Sequence, residues 1–200
     1  MVRSVMVFVL VALAASSPRL AAQASSHDTT SKVPPPRQAP SPHAIGFGFF
    51  ATLGSYWQIE AVEVGYVRTM SRGLAAFSLT SRIGTFIDET AVMGGSRGMV
   101  FATTLATRTR MRRIAQLGED ERGTAIGLDV TLEASGYVAS GSPFSQGSRW
   151  GAIALLPGLR IGKAAIVIGP TAFIAGGKTS VHGLLAFRGE ATLARRERQP

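Results

Sequence analysis

Apolar and polar positions alternate along most of the chain from residue 44 onward, and the stretch AIGLDVTLEASGYV at 125–138 carries the pattern with few lapses. Ile126, Leu128, Val130, Leu132, Ala134 and Val138 share one parity, while Gly127, Asp129, Thr131, Glu133, Ser135 and Tyr137 share the other. Successive side chains of a strand point to opposite faces, so such a strand divides an apolar environment from one that accepts carboxylates. The same period returns in eight segments, at about 45–54, 57–70, 74–87, 98–110, 124–138, 149–161, 164–176 and 179–193. Polar, glycine-containing connections separate them, which is the signature of antiparallel hairpins. Only residues 111–117 read as a short helical turn. Many segments exceed the ~5–6 residues usual for soluble strands. Eight long antiparallel strands predict an all-β, eight-stranded up-and-down barrel, whose closure removes the exposed edges that apolar strands cannot leave open.

The composition of the two faces decides which one looks outward. In the first segment Ile45, Phe47, Phe49 and Leu53 oppose Gly46, Gly48, Thr52 and Gly54. In the third, Phe77, Leu79, Ile83 and Ile87 oppose Ala76, Ser78, Thr80, Arg82 and Gly84. In the last, Val181, Leu185, Phe187, Ala191 and Leu193 oppose His182, Ala186, Arg188, Glu190 and Thr192. A solvated exterior is rich in lysine and glutamate, yet the chain has only Lys32, Lys163 and Lys178. Small residues with sparse charges suit the crowded interior of a narrow barrel, so the large apolar side chains are expected to face lipid. The second segment is irregular, because Glu60 and Glu63 have opposite parity; a bulge between them is the expected remedy. Pro157 and Pro170 each remove a ladder hydrogen bond, and call for bulges or early strand ends.

The ends of the chain add a location. Residues 1–24 combine Arg3, an apolar run and Ala22-Gln23-Ala24, the layout of a secretory signal peptide cleaved after Ala24. Residues 25–43 are polar and proline-rich, an extended linker. Residues 194–200 form a basic tail. With no cysteine, there is neither a disulfide framework nor a thiolate metal site. The formal net charge is +9; in an exported protein with dispersed basic residues it points to anionic lipid headgroups or lipopolysaccharide phosphates rather than nucleic acid.

Together, the signal peptide, strand number, strand length and face chemistry over residues 44–193 make the chain resemble the small eight-stranded outer-membrane barrels, the transmembrane-domain family of outer-membrane protein A and its X-type relatives. The resemblance implies a monomer in the outer membrane of a Gram-negative-type cell, inserted by the barrel-assembly machinery, with both termini in the periplasm. The loops at 88–97 and 140–148 would then be external, and the last strand ends at Leu193 rather than on the aromatic residue usual in such barrels.

Candidate chemistry falls on the inner face and at the strand ends. Arg108, Asp129, Glu133, Arg160, Arg188 and Glu190 have lumen parity, and are expected to form a charge network that plugs the barrel, with Asp129 meeting Arg108, Arg160 and Arg188 across it. Tyr56, Trp57, Tyr66, Phe144 and Trp150 fall near strand ends, as interfacial aromatic girdles would. Ser180 and His182 share a face, two residues apart, but no carboxylate on their strand lies near enough to complete a catalytic triad. His27, His43 and His182 have no metal-ligand spacing, and no cofactor is expected. Three functional classes stay open: a non-enzymatic structural or surface-interaction protein of the envelope, a lipid-modifying hydrolase of the outer membrane, and a secreted calycin-like ligand carrier.

Overall fold

In the computed structural model the described residues are 41–54, 57–70, 75–88, 97–118, 123–140, 148–193. The signal peptide at 1–24, most of the linker, the tail at 194–200, Tyr56 and Phe144 lie outside them. Nine strands follow one another: β1 (His43–Leu53), β2 (Trp57–Thr69), β3 (Ala76–Asp88), β4 (Arg97–Arg108), β5 (Arg112–Leu117), β6 (Thr124–Ala139), β7 (Arg149–Ile161), β8 (Ala164–Ala175) and β9 (Lys178–Thr192). Every neighbouring pair is antiparallel. The β1–β9 and β4–β6 ladders close eight of the strands into an up-and-down barrel, with β5 as an added ninth. Two tight turns show why glycine stands where it does. Gly176 and Gly177 both have positive φ, which the two-residue β8–β9 hairpin requires, and Gly162 (φ 59°) does the same service between β7 and β8.

The period-2 pattern holds on all eight barrel strands. Phe47, Val62, Leu105, Leu132, Ile153, Ile168 and Val181 stand on the outer face, Phe47 at 52% and Val181 at 68% exposure. Their sequence neighbours Phe50, Glu63, Thr104, Asp129, Glu133, Leu156, Val167 and His182 are buried within. A single monomer rarely exposes apolar patches beyond a few hundred Å². Here the apolar outer face recurs around the whole circumference.

Three expectations change. Residues 112–117 form a strand, not a helical turn. Strand β6 begins well below the point where β4 ends, at the pair Arg108↔Thr131, and its free edge there is taken by Arg112↔Leu128 through Leu117↔Thr124, with a bulge between Arg113 and Ala115. No bulge separates Glu60 from Glu63. The β1–β2 and β2–β3 registers run through both without a shift, Glu63 is buried, and Glu60 lies on the outer parity near the end of the barrel remote from the start of β1. The apparent irregularity arose because Ile59 points inward: the lumen at that end is apolar, so parity and polarity part company. Finally, the two prolines share one seam. The β7–β8 ladder runs from Gly151↔Ile174 to Ala154↔Thr171, breaks, and resumes at Gly158↔Val167 in the same register. Pro157 and Pro170 fall within that gap, while each stays paired on its other side, with Val130 and Gly183. Missing donors are thus confined to one stretch of one seam, with neither a bulge nor an early strand end.

Candidate functional site

The lumen is built in three storeys, named from the distal end to the proximal end, where β1 begins and β9 ends. The distal storey is apolar and aromatic. Phe50, Trp57, Ile59, Phe86, Tyr137, Trp150 and Phe173 pack there in one cluster. Trp57 meets Phe173 edge-on with ring centroids 4.8 Å apart, and Tyr137 stacks on Trp150 at 5.7 Å, interplanar angle 4°. Trp57 and Trp150 are therefore not girdle residues. Both have inward parity and are buried, because the widest rings fill a storey that carries no charge. Tyr66 does face outward, at the proximal rim, stacked against His43 with its hydroxyl bonded to His43 Nδ1.

The middle storey is a closed ring of two arginines and two glutamates. Arg82 Nε donates to Glu63 at 3.0 Å and Arg82 Nη2 to Glu133 at 2.7 Å. Arg188 Nε donates to Glu63 at 2.6 Å, and its Nη1 lies 2.6 Å from Glu133. Each arginine thus bridges both carboxylates, and β2, β3, β6 and β9 are tied together across the lumen. Arg82 also donates to Tyr137 Oη (3.2 Å) and Ser135 Oγ (3.3 Å), and its guanidinium sits 4.5 Å from the Phe50 ring centroid. It joins the ring to the aromatic storey above. A side chain on Gly48, which pairs with both Glu63 and Arg188, would sit 3.0 Å from Glu63 Oε1 and 2.5 Å from the Phe187 carbonyl. The missing Cβ is what admits the ion pair.

The proximal storey repeats the device. Arg160 reaches Asp129 at 2.8 Å and Glu190 at 3.1 Å; Arg108 reaches Asp129 at 3.7 Å and bonds directly to Glu190. Strands β4, β6, β7 and β9 supply this ring, and Gly158 plays the part of Gly48, its missing Cβ leaving room beside Asp129 Oδ1. Two positive and two negative residues in each ring leave both formally neutral, the condition under which charges tolerate burial. The cavity left at this level is about 60 Å³, bordered by both rings, space comparable to a few water molecules rather than a channel.

All six residues assigned to the network from the sequence are in it, but divided between two rings. Arg188 does not meet Asp129; it belongs to the middle ring. Glu63 and Arg82 complete that ring and were absent from the assignment, Glu63 because the parity of β2 was unresolved, and Arg82 although its inward parity had been read. Among the described residues no ion pair links one ring to the other.

Ser180 and His182 do come together, Oγ to Nε2 at 2.8 Å. The imidazole is buried against Trp57, ring centroids 4.1 Å apart, and its Nδ1 has no hydrogen-bond partner among the described residues. No group of three or more acidic, histidine or cysteine side chains able to hold a metal ion occurs among the described residues. No protein-family model, curated protein or solved structure matches the chain.

Proposed function

We propose that this chain is a small integral outer-membrane barrel protein of a Gram-negative-type cell, akin to the outer-membrane protein A and X-type barrels. In this reading it is exported by residues 1–24 and acts as a structural or surface-interaction element of the envelope rather than as a pore or an enzyme. The observation that carries this is the apolar outer face around a closed barrel whose lumen is filled by aromatic side chains and two neutral ion rings. Strands of 11 to 16 residues in the barrel meet or exceed the ~9–11 residues that a tilted strand needs to cross a bilayer. The connections at 88–97 and 140–148 join strands at the distal end, opposite the start of β1 and the end of β9, where a surface-exposed loop belongs. Anionic lipid or lipopolysaccharide is the partner that the basic balance favours.

Fractionation of envelopes tests the proposal. The protein should resist carbonate extraction and migrate faster on an unheated gel than after boiling, and purified protein should give no steady conductance in planar bilayers. Release by carbonate would instead identify a secreted carrier. The hydrolase reading has one observation in its favour, the Ser180–His182 hydrogen bond. Among the described residues it lacks a carboxylate on Nδ1 to orient the ring, and incubation with labelled lipopolysaccharide, with Ser180→Ala as control, separates it from the leading one.

A further inference from the structure

The two rings have a consequence for the exterior. Of the carboxylates whose side chains are described, Glu63, Asp129, Glu133 and Glu190 are enclosed in the lumen, and only Glu60, toward the distal end, lies on the outer face. Cations are not consumed in the same way. Arg68, Arg112, Arg113 and Lys163 are exposed at the proximal end, and none of them makes an ion pair among the described residues. Arg112 and Arg113 stand on β5, the strand added to the proximal side of β6, next to Ile114 (57% exposed) and Leu117 (56% exposed). In sequence the β5–β6 connection carries Glu119, Asp120 and Glu121 together with Arg122, fewer carboxylates than the four cations named at this end. At the distal end the described charges are fewer and mixed: Arg149 and Lys178 are exposed, and Glu60 shares that end.

We infer that the proximal rim is a cationic collar that binds the headgroup phosphates of anionic phospholipids. This rests on the membrane reading and locates its lipid contact at one end of the barrel. Exposed apolar side chains beside arginines match the boundary between acyl chains and headgroups, where the aliphatic part stays in the apolar layer and the charge reaches the phosphate. A set of cations with no carboxylate beside it among the described side chains draws anionic lipid out of a mixed bilayer. The attraction between such cations and anionic headgroups falls off within a Debye length, and added salt screens it.

The test uses the full mature chain reconstituted in phosphatidylcholine bilayers, with spin-labelled phosphatidylglycerol or spin-labelled phosphatidylcholine as the probe. The motionally restricted fraction of each lipid gives the relative association constant. Phosphatidylglycerol should be preferred severalfold, and the preference should fall with added salt. It should collapse toward unity in the variant Arg68→Gln/Arg112→Gln/Arg113→Gln/Lys163→Gln, and survive in the distal variant Arg149→Gln/Lys178→Gln. Equal association of the two lipids, or a preference that the proximal variant keeps, would overturn the collar. An unheated gel of the same samples reports insertion separately. A protein that fails to insert refutes the membrane reading and the collar together, whereas insertion without lipid selectivity refutes the collar alone.

Discussion

Arg82 is the side chain whose loss the structure makes most informative. It is 3% exposed, ties Glu63 to Glu133, and binds Tyr137 and Ser135 as well. Replacing it by alanine leaves two buried carboxylates to share Arg188 alone. Removing one member of a buried pair costs about 3–5 kcal/mol, against a total stability of about 5–15 kcal/mol for a domain of ordinary size. The Arg82→Ala protein is therefore expected to fold, with much of its margin gone. Glu133→Ala should cost a similar amount for the mirror-image reason. The double variant should lose less than the two losses combined, by up to ~3 kcal/mol, because each deletion removes the charge that the other stranded. Arg82→Ala with Asp129→Ala crosses from one ring to the other and should be additive within ~0.5 kcal/mol, as should Arg188→Ala with Asp129→Ala. The assay is equilibrium urea unfolding of the refolded protein in detergent micelles, followed by the fluorescence of Trp57 and Trp150 and by the unheated-gel shift. Strictly additive losses within the middle ring, or an Arg188–Asp129 coupling as large as that of Arg82–Glu133, would refute the division of the lumen into two independent rings.

Glycine substitutions should separate the two faces. Gly48→Ala, whose new methyl group meets a backbone carbonyl and Glu63, should cost about 1–3 kcal/mol in the same unfolding assay, while outward-facing Gly136→Ala, with nothing within 4 Å of the added atom, should stay within ~0.5 kcal/mol. On the outer face, Leu132→Arg at mid-strand should cost about 2–4 kcal/mol in a bilayer and impair insertion; if the outer face met water instead, the change would be nearly neutral, and vesicle flotation decides. Trp57→Ala should destabilise by about 3–5 kcal/mol through the cavity it leaves in the distal storey; a girdle residue would instead change lipid partitioning with little effect on unfolding.

Local chemistry determined much of this protein before any contact was known. A period of two needs only neighbouring residues to be read, and the difference between Phe47 or Val181 on one face and Gly48 or His182 on the other fixes inside and outside. Eight such strands with hairpin connections leave an up-and-down barrel as the economical way to satisfy every edge. The inward charges Asp129, Glu133, Arg160 and Arg188 were legible for the same reason. Height within the barrel was not. Parity says that a side chain enters the lumen, while its partner depends on strand tilt and on which residues of distant strands lie level with it. So Arg188 went to Glu63 and Glu133, 125 residues away in the case of Glu63, and Asp129 to Arg108 and Arg160. Trp57 and Trp150 were misread because an aromatic residue near a strand end has the same sequence signature whether it faces lipid or fills a storey. Strand β5 escaped notice because its pairing follows from how far β6 overreaches β4, a register fact that no local pattern encodes. The two prolines became compatible with a closed wall only once the fold set them in the same gap of one seam.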